Sequence, residues 1–119
     1  MNLSPQQILS KYWGYDTFRT PQAEIIQSVL EGKDCLALLP TGGGKSICFQ
    51  IPAIALEGTC LVISPLIALM EDQISQLKRR GVSCAVVHSG MSSEQVDFAL
   101  DNCIYGEIKL LYLSPERLH

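Results

Sequence analysis

The sequence predicts an α/β fold, a three-layer arrangement of a parallel sheet with helices on both faces, and three observations predict it. Four short runs, Cys35 to Leu39, Cys60 to Ile63, Ser83 to His88 and Leu110 to Leu113, are nearly continuous in apolar residues. Runs of that length suit strands, and unbroken hydrophobicity is what a strand buried on both faces requires. Between them lie longer segments of helical periodicity, and strand–helix alternation of this kind builds parallel sheets through right-handed crossovers. A turn of three glycines, Gly42-Gly43-Gly44, separates the first strand from the helix after it.

Two helices precede the sheet. The first is expected from about Pro5 to Trp13, with Ser4 as N-cap and proline at the first helical position. The second begins near Pro21, with Thr20 as N-cap, and ends at Gly32; Ile25, Ile26, Val29 and Leu30 recur at helical spacing. After the strand at Cys35 to Leu39, a helix runs from about Lys45 to Leu56. The strand at Cys60 to Ile63 leads into a helix from Leu66 to Arg80, stopped by Gly81. After the strand at Ser83 to His88, a helix starts at Ser92 or Ser93, where Glu94 or Gln95 can complete a capping box, and ends near Tyr105. Leu110 to Leu113 is the fourth strand. The chain therefore divides into amino-terminal helices over 1–33 and a partial sheet domain over 34–119.

Composition narrows the function. A formal net charge of −3 argues against coating nucleic acid through bulk positive charge. A local groove remains compatible with it, because a few placed donors can contact phosphates. The run Lys78-Arg79-Arg80 falls at a helix end, where it complements the helix dipole. Five cysteines at wide spacings form no Cys-x-x-Cys pair, and two histidines complete no zinc pattern. They read as reduced, buried thiols of an intracellular protein. The start has no signal-peptide pattern and no apolar run is long enough to span a membrane, so a soluble, cytoplasmic chain is expected.

The most informative stretch is Leu39-Pro40-Thr41-Gly42-Gly43-Gly44-Lys45-Ser46. Adjacent glycines let the backbone curl around a ligand and aim several N–H groups into one concavity, which suits an anion. The helix that follows adds its unpaired N–H groups and positive dipole end. Lys45 can neutralise phosphate oxygens, and the Ser46 hydroxyl can ligate Mg²⁺. The full phosphate-loop pattern has glycine where Leu39 stands, so the strict match fails at that one site. Upstream, the Gln22 carboxamide can donate and accept toward the edge of adenine, and Tyr15 and Arg19 can stack on a base. Composition by itself favours a plainer role for this segment, with Trp13, Tyr15 and Phe18 packing the first helix.

Together these residues resemble the RecQ family of superfamily 2 DNA helicases. Gly14-Tyr15 with Phe18-Arg19-x-x-Gln22 looks like that family's motif 0, and Leu39 to Ser46 followed by Cys48-Phe49-Gln50-Ile51-Pro52-Ala53 resembles motif I. Ser64-Pro65-Leu66-Ile67-Ala68-Leu69-Met70-Glu71-Asp72-Gln73 is similar to motif Ia, and Leu111-Tyr112-Leu113-Ser114-Pro115-Glu116-Arg117-Leu118 to motif Ib. The resemblance implies an incomplete RecA-like P-loop domain that uses ATP and Mg²⁺ in 3′-to-5′ DNA unwinding. By the same resemblance Tyr15, Arg19 and Gln22 contact adenine, and Thr41, Gly42, Gly43, Gly44, Lys45 and Ser46 hold the triphosphate. Lys45 and Ser46 are the catalytic residues it implies, with Ser46 on Mg²⁺. Ser64, Pro65, Leu66, Gln73, Ser114 and Arg117 would contact single-stranded DNA or a duplex junction; Arg117 suits a structural ion pair equally well. The family's Asp-Glu-Ala-His run is not in the sequence, nor are its second RecA-like domain and other carboxy-terminal helicase regions. The segment alone is thus expected to turn over negligible ATP. The resemblance also leaves the first strand's edge open, because the strands that pair beside it come after that run.

Overall fold

The computed structural model describes residues 3–37, 45–88, 90–105 and 108–115. These form two compact units, residues 1–57 and 58–119.

The first unit is helical. α1 (Pro5–Ile8) opens with a capping box: the Ser4 hydroxyl accepts from the Gln7 N–H at 3.2 Å, and the Gln7 carboxamide accepts from the Ser4 N–H at 2.8 Å. Leu9–Trp13 continue the helix in wider π-type turns, which end where Gly14 takes a φ of 76°. α2 (Gln22–Leu30) and α3 (Lys45–Ala55) follow. Ile8, Leu9, Ile26 and Ile51 form the core, and Trp13, Phe18 and Ile47 pack against it. The periodic apolar positions of the sequence thus meet as helix faces do. Pro52 lies inside α3 and is buried, so the helix proceeds there without one main-chain donor.

Two expectations change here. Thr20 does not cap α2; Pro21 holds the N-cap position with non-helical φ and ψ. The side chain of Gln22 instead reaches back, its Oε1 accepting from the Arg19 N–H at 2.8 Å, so a side chain inside the helix ties down the preceding turn. The strand expected over Cys35 to Leu39 is not formed at 35–37, where Leu36 is 87% exposed. Strand conformation is held by pairing, and among the described residues no strand lies beside this one. Leu38 and Leu39 lie outside the described residues.

The second unit is a three-stranded parallel sheet with helices. β1 (Cys60–Ile63), α4 (Ile67–Arg79), β2 (Cys84–Val87), α5 (Ser93–Tyr105) and β3 (Leu110–Leu113) run in that order, and the strands lie as β1-β3-β2. The central strand β3 is buried at all four positions. Register places Cys60, Leu110 and Cys84 abreast, and Ile63, Leu113 and Val87 abreast. Successive side chains alternate between faces, so Leu111 and Leu113 share one face with Ala85 and Val87. There they pack on Val96, Ala99 and Cys103 of α5. Leu110, Tyr112 and Cys84 occupy the opposite face. Cys84 Sγ donates to the Ile74 carbonyl of α4 at 3.7 Å, and the Tyr112 hydroxyl donates to Gln73 Oε1 of α4 at 2.7 Å. Helices therefore cover both faces of β3, as its apolar run required, whereas β1 departs from the expected burial, with Leu61 and Ile63 exposed.

The ends of the helices follow their sequence signals. Gly81, with φ 87°, turns the chain after α4. Ser92 caps α5 reciprocally with Gln95 rather than Glu94: Gln95 N–H donates to Ser92 Oγ at 3.2 Å, and Ser92 N–H to Gln95 Oε1 at 2.9 Å. Cys48 and Cys84 are buried and burial pushes their thiols up, as it does for half-buried Cys60 and Cys103. Cys35 departs from the expected burial and is exposed.

Two measurements check this architecture. Tyr112→Phe removes the bond that ties β3 to α4 and should lower stability by about 1 kcal/mol in chemical denaturation. Under native conditions iodoacetamide should label Cys35 first, with Cys48 and Cys84 reacting only as the chain opens; equal labelling of all five cysteines would contradict the fold.

Candidate functional site

Within the first unit a cavity of about 290 Å³ is lined by Leu9, Tyr15, Asp16, Thr17, Arg19, Gln22 and Ile47. Each wall has a local cause. Gly14 ends the helix, so the chain from Tyr15 to Arg19 leaves as an irregular segment over the apolar cluster. Phe18 turns into that cluster while Tyr15, 53% exposed, stays at the rim. The Gln6 carboxamide holds the segment by donating to the Asp16 carbonyl at 2.9 Å. Gln22 sits in the first turn of α2 with only 3% of its surface exposed.

The three residues expected to read a base, Tyr15, Arg19 and Gln22, therefore border one cavity. Gln22 Oε1 already accepts from the Arg19 N–H. This bond orients the carboxamide at the cavity wall.

Sequence reasoning did not single out Leu9, Asp16, Thr17 or Ile47. Ile47 carries the most information, because it comes from α3, whose first two residues are Lys45 and Ser46. The first turn of α3 thus borders the cavity with one side chain and begins with the lysine and hydroxyl expected at phosphates. Helical periodicity could have found Ile47, since it falls four residues before the buried Ile51. Lys45 is exposed and Ser46 half-buried. Thr41, Gly42, Gly43 and Gly44 lie outside the described residues.

In the second unit, the residues expected at nucleic acid gather in part. Ser64 N–H donates to the Leu113 carbonyl at 3.0 Å and Ser114 N–H to the Val87 carbonyl at 3.1 Å. These bonds extend the ladder past the strands and set Ser64 beside Ser114 at the sheet's carboxyl edge, where ligands of open α/β sheets gather. The Ser64 hydroxyl accepts from the Leu66 N–H at 3.2 Å, holding the turn into α4, while Pro65 and Leu66 are exposed. The Ser114 hydroxyl is buried without a hydrogen-bond partner among the described residues. Gln73 is not at this edge: its carboxamide is taken up by Tyr112. Arg117 lies outside the described residues. His88, which the sequence did not mark, follows β2 at the same edge, its Nδ1 accepting from the Gly90 N–H at 3.1 Å and its Nε2 3.9 Å from Glu71. Among the described residues no three potential metal ligands cluster, and no helix is long and apolar enough to cross a membrane.

Residues 19–119 match the family described as DEAD/DEAH box helicase. The chain is 51% identical over 115 residues to the ATP-dependent DNA helicase RecQ of Synechocystis sp., covering 97% of this chain and 24% of that protein. It is 46% identical to the ATP-dependent DNA helicase RecQ of Bacillus subtilis, covering 95% and 19%, and 37% identical to the ATP-dependent DNA helicase Q1 of Pongo abelii, covering 95% and 18%. The chain therefore spans about a quarter or less of these relatives' length.

The Gln22 geometry makes a local prediction. Gln22→Ala strips the Arg19 N–H of its acceptor and should lower stability by about 1 kcal/mol in a thermal melt. Gln22→Glu keeps an acceptor oxygen and should hold most of that stability; equal losses in the two variants would contradict the assigned bond.

Proposed function

The chain belongs to the DEAD/DEAH box helicases and, within them, to the RecQ family, and from that premise we propose that it is the ATP-binding part of an ATP-dependent DNA helicase. The single observation that carries this reading is the cavity shared by Tyr15, Arg19 and Gln22 with Ile47, in the turn that Lys45 and Ser46 begin. Base and triphosphate ends of one nucleotide are thereby given neighbouring sites. In this reading Arg19 and Tyr15 hold the adenine faces, and the Gln22 carboxamide meets its edge. By the family resemblance the amides of Thr41 to Gly44 would receive the phosphates together with the start of α3, where Lys45 adds a positive charge.

The residues suit Mg²⁺ as well as nucleotide. The Ser46 hydroxyl, half-buried one position into α3, is the metal-binding donor of the set. Held there, Mg²⁺ would neutralise negative charge on the nucleotide's phosphates. Lys45 and Ser46 then orient the nucleotide but lack the carboxylates that position an attacking water. The segment by itself accordingly binds ATP and turns it over negligibly.

DNA runs along the carboxyl edge of the sheet, past Ser64, Pro65, Leu66 and Ser114, and by the family resemblance Arg117 would add a charge to that contact. A serine hydroxyl such as that of Ser64 can donate to a backbone phosphate without net positive charge, which fits a chain of net charge −3. The longer protein would couple ATP hydrolysis to 3′-to-5′ unwinding in recombination and repair.

Thermal melts with and without Mg²⁺-ATP test the binding step. The midpoint should rise with ATP, since a ligand of the native state stabilises it. Lys45→Ala should weaken ATP at least about tenfold, or ~1.4 kcal/mol, and Gln22→Ala should erase the preference for ATP over GTP. Unchanged affinity in Lys45→Ala, or rapid DNA-stimulated turnover by the chain alone, would sink this reading.

A further inference from the structure

The run Lys78-Arg79-Arg80 does more than close a helix dipole. Gln76, Arg79 and Arg80 line an open groove of about 480 Å³ at the carboxyl end of α4. They stand at i, i+3 and i+4, the spacing that brings helix side chains together on one face. Gln76 and Arg79 are exposed, and the Gln76 carboxamide makes no hydrogen bond among the described residues. Arg79 touches the Ser75 carbonyl through Nε at 3.4 Å, and among the described residues its terminal guanidinium nitrogens have no partner. Dipole compensation needs cations in the last turn, but it needs neither a concave arrangement nor a neighbouring carboxamide.

From this geometry we infer that the groove is a second contact for a nucleic-acid backbone phosphate, beyond the sheet's carboxyl edge; it rests on the reading that DNA lies along that edge. Gln76, Arg79 and Arg80 share the carboxyl end of α4, whereas Gln73, one turn earlier, is turned to Tyr112 of the sheet. α4 begins three residues after Ser64, so Arg79 and Arg80 stand about 20 Å down the helix from the edge, at 1.5 Å per residue. A strand leaving the edge along α4 meets these donors in turn. The groove is built of hydrogen-bond donors and cations, with no large apolar side chain among its described lining residues. Phosphate recognition needs that chemistry, whereas a peptide partner draws most of its binding from buried apolar or aromatic anchors.

The test is the binding of a fluorescein-labelled oligothymidylate to the 119-residue chain, by anisotropy across a KCl series. Arg79→Gln with Arg80→Gln should weaken binding about tenfold and flatten the log Kd against log salt slope by about one. Arg79→Lys with Arg80→Lys should restore most of the slope, because lysine keeps the charge. Gln76→Glu, an exposed change that leaves both arginines in place, should also weaken binding, which keeps the test open if the double variant misfolds. Unchanged affinity and slope in these variants overturn the groove. So does displacement of a glutamate-rich peptide, rather than DNA, by the arginine changes. Ser64→Ala with Ser114→Ala separates the two sites. Loss of binding there alone sinks the groove and keeps the edge; loss in the arginine variants alone keeps the groove and sinks the edge.

Discussion

Burial of Ile51 against Ile8, Leu9 and Ile26 fixes α3 in the first unit, and the rest of the site hangs on that placement. Ile51 is fully buried. One helical turn earlier, its neighbour Ile47 is brought to the cavity wall, and Lys45 and Ser46 are carried to the start of the same helix. A helix start is an anion site only if it points at a fixed place. Here the apolar core supplies that fixity, so buried apolar residues decide where the polar residues of the site stand.

The second unit solves a different problem with the same economy. β3 pairs on both sides and is covered on both faces, so it can be apolar at every position. Its hydroxyl-bearing Tyr112 is the exception, and Gln73 answers it from α4. That bond takes a side chain which the family resemblance would place at DNA. The structure gives Gln73 a part in holding α4 against the sheet, so any contribution to DNA runs through the position of the helix. At the carboxyl edge, the extra main-chain bonds of Ser64 and Ser114 prolong the ladder just far enough to set two hydroxyl-bearing residues side by side.

Much of this was legible in the residues. β1 and β3 fall where unbroken apolar runs placed them, because strand length and hydrophobicity leave few alternatives over four residues. α4 ends where Gly81 stops it, and Ser4 caps α1 as expected. The failures share a cause, namely side chains or strands acting from a distance. Thr20 looked like a cap because local pattern cannot reveal that Gln22 folds back onto Arg19. The run at Cys35 looked like a strand because it is apolar, yet a strand also needs a neighbour to pair with, which no local pattern supplies. Gathering of Tyr15, Arg19 and Gln22 around one cavity was suggested by the family resemblance, while Ile47 emerged only from the packing of α3.

The central claim is that one nucleotide occupies the cavity and the start of α3 together. Titrating Mg²⁺-ATP into the ¹⁵N-labelled chain and following backbone amide signals tests it most directly. The account predicts that signals of Arg19 and Gln22 and those of Lys45, Ser46 and Ile47 move along a single saturation curve. Movement of either group without the other, or changes confined to residues 58–119, would contradict it.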